Sequence, residues 1–194
     1  MKPVILAICG KAASGKDSLA DFLSSCPLGI TKIVSDTTRP KRPLEREGVD
    51  YHYVSTEEFI DGVENGRYLE WSEFRKWYYG TPIDAVCGKI NVGVFNMDGI
   101  AELYRLQKEG EYEVIPIYVK SHTFSRLKRY GSREGKLSFE CLRRFVTDTL
   151  DFQNVSVWLS LFPQHIVLKN FSGIENLYEK AQHLVREVLS DYYQ

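Results

Sequence analysis

"VILAICGKAASGKDSLADFLS" (residues 4–24) joins an apolar run to a glycine-bounded loop and then to a helical pattern. The run Val4–Cys9 lacks polar alternation and reads as a strand buried on both faces, as in a parallel sheet. Leu19, Phe22 and Leu23 recur at helical spacing after it. Between them, Gly10, Gly15 and Lys16 match the phosphate-loop pattern G-x-x-x-x-G-K. Composition alone would produce such a match in about one chain in twenty of this length. Its place between strand and helix gives it weight. Glycines let successive N–H groups wrap a phosphate chain, and the helix N-terminus adds partial positive charge. The candidate phosphate-binding segment is therefore Gly10, Lys11, Ala12, Ala13, Ser14, Gly15, Lys16, Asp17 and Ser18. Lys16 is its catalytic cation, neutralising charge on a transferring phosphoryl.

The pattern wants Ser or Thr after the lysine to hold Mg²⁺, and here Asp17 stands there. Ser18 is no simple substitute, because one helical step turns a side chain by about 100°. Two readings of Asp17 stay open. Its carboxylate is a hard-oxygen Mg²⁺ ligand, or it only favours the first turn of the helix.

The remaining chain alternates strands and helices. Strands are expected over 31–38, 91–96, 113–119 and 165–170, with helices between them and a final amphipathic helix carrying Ile174, Leu177, Ala181, Leu184 and Val188. Residues 121–151 read as mostly helical, broken at 130–136. The fold class is α/β, a three-layer α/β/α sandwich around a parallel sheet. An aromatic stretch interrupts the alternation. "DYHYVS" and "RYLEWSEF" read as short strands around a helix at "TEEFIDGVENG", and "YYGTP" as a turn. Residues 35–85 thus form an inserted lobe. Residues 1–34 and 86–194 form the core, with a lid near 126–145.

Composition narrows the classes of function. The chain has 194 residues, 43% hydrophobic and 26% charged, with a formal net charge of −1. No global field favours nucleic acid or a membrane, and the six-residue apolar run is too short to span a bilayer. Four scattered cysteines without a C-x-x-C pair read as reduced thiols of a cytoplasmic protein.

The stretch "SDTTRPKRPLEREGVDYHYVSTEEF" (35–59), followed by "RYLEWSEFRKWYYGT" (67–81), resembles the guanylate kinase family of nucleoside monophosphate kinases. T-T-R-x-x-R-P, G-V-D-Y-x-[FY]-V-S, L-E-W and Y-Y-G-[ST] occur in order and at family spacing. The resemblance implies a P-loop fold with a mixed-β lobe for the acceptor nucleotide, and phosphoryl transfer from Mg²⁺-ATP to GMP or dGMP. It assigns Arg39, Arg42, Tyr51 and Tyr79 to the acceptor's phosphate, with Arg42 counted as catalytic. Arginines three apart can fork onto one dianion. It assigns Glu70 to the guanine, with Ser35 and Thr81 lining its pocket. A carboxylate accepts from guanine N1–H and N2–H₂. Adenine would leave it unpaired, a mismatch that can cost ~10⁴-fold in discrimination. Small-molecule nucleotides are the implied partners, in a monomer or homodimer.

Three places depart from the family. Its acidic strand motif L-D-[IV]-D is replaced by "VFNM", with Val94 and Asn96 at the acidic positions. Asn96 remains a neutral acceptor for the guanine amino group, and Asp98 is expected to cap the next helix. The acid that organises Mg²⁺ would then have moved to Asp17. In the lid, Arg133 and Arg144 have the family's spacing and are the catalytic candidates, but extra residues precede them and Arg129 competes for the first role. Arg126 is expected to anchor the helix. Asn170 resembles the asparagine near the adenine of ATP, shifted by one residue.

Other functions fit parts of the pattern. G-K-D-S-L at 15–19 is shared with kinases of ribose 1,5-bisphosphate, and the altered base pocket suits another or modified deoxynucleotide. Non-catalytic guanylate-kinase-like modules share the lobe but lack the phosphate loop.

Overall fold

A computed structural model describes residues 2–74, 76–134, 147 and 150–192, with backbone alone for 130–134 and 191. Five strands form a parallel sheet: β1 (Val4–Cys9), β2 (Ile30–Lys32), β7 (Ile90–Val94), β8 (Glu113–Ser121) and β9 (Ile166–Asn170). Their spatial order is β2-β7-β1-β8-β9, so β1 lies at the centre with a parallel partner on each side. Every residue of β1 is fully buried, which explains its unbroken apolar run. Val4, Leu6 and Ile8 face one apolar layer with Leu19 and Leu23 of α1 (Lys16–Ser25) and with the last helix, Ile174–Leu189. Ile5, Ala7 and Cys9 face the other layer, with Ile100, Leu103 and Leu106 of α3 (Met97–Glu109) and Val155 and Leu159 of α5 (Val155–Ser160). That last helix is α6. No described helix is long and apolar enough to cross a membrane.

A second sheet of four strands occupies residues 36–82, in the order β4-β3-β6-β5. Its members are β3 (Asp36–Thr37), β4 (His52–Tyr53), β5 (Tyr68–Phe74) and β6 (Trp77–Pro82). Helix α2 (Thr56–Glu64) begins at a capping box in which Ser55 and Glu58 satisfy each other's N–H groups. Phe59 on α2 stacks on Tyr68 and Tyr78 of the sheet.

Three expectations are corrected. The strand expected over 31–38 is two short strands in different sheets, β2 and β3. "YYGTP" is no turn: it lies in β6, paired antiparallel with β5, and the reversal falls just before it, with Lys76 at φ 68°. Gly80 serves close packing instead, since a Cβ there would meet the rings of Phe59 and Tyr68 at 2.9 Å each. Helix α4 (Thr123–Glu134) is unbroken over 130–134, the first part of the expected break at 130–136, whose last two residues lie outside the described ones.

Candidate active site

The phosphate loop, residues 10–15, links the end of β1 to α1. Gly15 precedes the helix at φ 101°, where a side chain would be strained and a Cβ would sit 2.8 Å from Asn170 Nδ2. A Cβ on Gly10 would meet Val119 O at 2.8 Å, so the loop passes too close to β8 for any side chain. Three consecutive loop carbonyls are held from outside. Arg126 Nε donates to Ala12 O, Arg129 Nη1 to Ala13 O and Asn170 Nδ2 to Ser14 O, each at 2.8 Å. Ala13 is itself at φ 59°, a conformation a non-glycine residue adopts at a cost. These bonds fix the loop from outside, and within it the Ser14 N–H donates to Lys11 O at 3.1 Å.

Arg126 is 2% exposed and fastens α4 to the loop, an anchoring role as expected. Arg129 is also spent on the loop, so its guanidinium supports Ala13. Asn170 is buried beneath the loop. Its Oδ1 and the Ser14 hydroxyl lack a hydrogen-bond partner among the described residues. Arg133 lies on α4 with only its backbone described, and Arg144 falls outside the described residues.

On α1, Lys16 Nζ lies 3.7 Å from Asp17 Oδ2. Asp17 is 66% exposed and lines a cleft of about 620 Å³ between α1 and the lobe. Ser18 points elsewhere, hydrogen-bonding Tyr178 on α6, as the 100° rotation requires. Val94 and Gly93 lie on the cleft's floor. Among the described residues no three His, Cys, Asp or Glu side chains converge into a metal-binding group.

The far wall of the cleft carries Arg42 and Tyr51. Arg39 and Arg42 converge as the T-T-R-x-x-R spacing predicts, and the group between them is Glu45. Its Oε1 accepts from Arg39 Nη2 at 2.9 Å and from Arg42 Nη1 at 3.3 Å. Its Oε2 accepts from the Arg42 N–H and the Tyr53 hydroxyl, each at 2.9 Å. Burial alone would raise the Glu45 carboxyl. The Arg42 N–H, the Tyr53 hydroxyl and the Arg39 guanidinium outweigh it and hold the group below the usual carboxylate range. Glu45 and Tyr53 escaped the sequence reading. The signal was there, an acid three residues after Arg42 in a basic loop. Arg39 also sits 5.5 Å from the centre of the Tyr51 ring, and Tyr51 meets Tyr79 edge-on at 6.1 Å. Burial, with the charge of Asp17 across the cleft adding to it, pushes the Tyr51 hydroxyl well above its ordinary range. It therefore remains a neutral donor.

Beyond these tyrosines lies a chain of polar groups. The Thr81 hydroxyl donates to Glu70 Oε1 at 2.7 Å and lies 3.2 Å from the Ser35 hydroxyl. Burial pushes the Glu70 carboxyl up to about 7 against the stabilising hydrogen bonds of Thr81, with Glu102 and Asp98 adding repulsion. Asn96, expected to accept from the guanine amino group, already has partners in the ligand-free protein. Its Oδ1 accepts from Gly99 N and its Nδ2 donates to Ser72 Oγ, both at 2.8 Å. Asn96 is thus the N-cap of α3, the role expected of Asp98, which lies inside the first turn.

The family model described as guanylate kinase matches residues 1–155. The guanylate kinase of Symbiobacterium thermophilum is 31% identical over 146 residues, 74% of this chain and 68% of that one. That of Malacoplasma penetrans is 34% identical over 138 residues, covering 71% and 61%. That of Thermotoga maritima is 40% identical over 93 residues, covering 48% and 45%. Two of these three matches take in less than two thirds of the relative's own length. The crystal structure of guanylate kinase from Anaplasma phagocytophilum superposes with a TM-score of 0.59 at 22% identity, covering 96% of this chain and 87% of that one, and speaks to the fold. A phosphate loop after the central strand, an arginine–tyrosine cluster facing it and a match over residues 1–155 lead to one conclusion: the chain belongs to the guanylate kinase family.

Proposed function

We propose that the protein transfers the γ-phosphoryl group of ATP to GMP or dGMP, giving the nucleoside diphosphate. One observation carries the reading. A single cleft has the phosphate-loop helix on one wall, through Asp17 and Ala20, and Arg42 and Tyr51 of the lobe on the other. Donor phosphates on the loop and an acceptor phosphate on the arginines would meet across it. Arg39, Arg42, Tyr51 and Tyr79 hold the acceptor phosphate, and Glu45 keeps the two arginines in place until it arrives. Glu70, steadied by Thr81 and Ser35, accepts from the guanine edge.

The acceptor phosphate is already a nucleophile, so no general base is needed. The protein's contribution is alignment and charge neutralisation by Lys16 and the arginines. The exposed Asp17 carboxylate beside Lys16 fits a Mg²⁺ ion carried by the nucleotide, which takes one or two protein ligands and leaves the rest to phosphate and water. When bound, Mg²⁺ supplies charge neutralisation at the transferring group. An ADP-release assay across the nucleoside monophosphates tests the reading. GMP and dGMP should drive release and AMP, CMP and UMP should not, whereas equal activity on AMP would refute it.

A further inference from the structure

Resting on that reading of the cleft, we infer that the base end accepts 6-oxopurine nucleotides whether or not they carry a 2-amino group, so that hypoxanthine nucleotides such as IMP are substrates beside GMP. Glu70 has two oxygens, and Oε1 already takes the Thr81 hydroxyl at 2.7 Å. Oε2 is the oxygen left for a base. It lies 2.9 Å from the point a Cβ on Gly99 would occupy, and Asn96 Oδ1 lies 3.3 Å from the same point. These are therefore neighbouring acceptors, and a side chain at position 99 would collide with Glu70.

Asn96 is neutral and spent on structure, capping α3 through Oδ1 and holding Ser72 through Nδ2. A 6-oxopurine presents N1–H to Glu70 Oε2. The 2-amino group of guanine then adds only a bond shared with an oxygen that already has a partner. Strong rejection of an analogue arises when it leaves a buried charged group unpaired. Hypoxanthine leaves none, since Oε1 keeps Thr81 and Oε2 keeps N1–H. Adenine differs, because its N1 is an acceptor and would face Oε2 lone pair to lone pair.

The test is kcat/KM for GMP, IMP and AMP on the full chain, before and after Asn96→Asp. The unmodified protein should use IMP within about 10-fold of GMP, the effect of one neutral hydrogen bond, and AMP about 10⁴-fold less well. An aspartate at 96 still caps α3 and adds a second carboxylate, so the GMP-to-IMP ratio should widen by about 10-fold or more. A parent protein that uses GMP but rejects IMP by about 10³-fold or more overturns the inference, as does a ratio unmoved by Asn96→Asp. A protein inactive on GMP would instead refute the proposed function itself.

Discussion

Glu70→Gln should make the protein a poorer enzyme and a more stable one, each in a defined pH window. Burial lifts the Glu70 carboxyl from 4.5 to about 7 in the ligand-free protein. A guanine needs the ionised form, so kcat/KM for GMP should fall as pH drops below 7, about tenfold from pH 8 to pH 6. The second ionisation of the GMP phosphate, with a pKa of about 6, adds its own limb about a unit lower. Glu70→Gln removes the first limb and leaves the second. At pH 8 the amide replaces the carboxylate that accepts from N1–H, and losing that charge-assisted hydrogen bond of about 1.5–3 kcal/mol should lower kcat/KM roughly 10- to 10²-fold.

Stability runs the other way. A raised carboxyl pKa means the folded state holds its proton more tightly than the unfolded chain. Its contribution is then full below about pH 4.5 and is lost as pH rises through 7. The glutamine variant lacks that loss, so above pH 7 the ligand-free variant should be more stable, by up to about 3 kcal/mol. Steady-state kinetics from pH 5.5 to 8.5, with urea melts of both proteins at pH 5 and pH 8, decide it. A parent profile flat between pH 8 and pH 6.5, or an unchanged limb near 7 in Glu70→Gln, would refute the reasoning.

Three further outcomes follow from the site. Asp17→Ala should raise the Mg²⁺ concentration needed for half-maximal turnover and lower kcat, while Asp17→Ser restores part of both. Normal metal dependence in Asp17→Ala removes the aspartate from the metal. Arg129→Ala frees the Ala13 carbonyl and should raise KM for ATP about 10-fold or more, the loss of a charged hydrogen bond of about 1.5–3 kcal/mol, with KM for GMP unchanged and Arg129→Lys partly rescuing. A fall in kcat alone would place Arg129 on the transferring group instead. Glu45→Gln should destabilise the ligand-free protein by about 2–3 kcal/mol at pH 7, because Arg39 and Arg42 lose their counter-charge. The Glu45 carboxyl is held low in the fold, so its contribution is present above about pH 4.5 and lost as pH falls further. The difference in urea midpoint between the two proteins should therefore shrink below that pH.

The core of the fold was legible because its signals are local. Val4–Cys9 is apolar without interruption because both faces of β1 are covered, and α6 displays its period because only one of its faces is. The order of motifs likewise placed Arg39, Arg42, Tyr51 and Tyr79 together. Features that depend on distant partners stayed hidden. Arg126 read as an anchor, but it and Arg129 reach carbonyls 114 and 116 residues away, and nothing in a run of basic helix residues marks those partners. "YYGTP" contains the residues of a turn, yet its glycine answers to the rings of Phe59 and Tyr68. Asn96 and Asp98 are both good caps, and only the register of α3 decides between them. Glu45 stood in plain view inside a basic loop, where spacing to its arginines was visible but the folding-back of the loop was not.

Phosphorus NMR of the protein with Mg²⁺, ATP and one acceptor at a time tests the central claim most directly. With GMP, the account predicts that the γ-phosphorus of ATP is consumed and the β-phosphorus of GDP appears, while ribose 1,5-bisphosphate yields no new resonance. Consumption of ATP with the sugar bisphosphate but not with GMP would contradict it, because the Glu70–Thr81–Ser35 chain would then have no base to read.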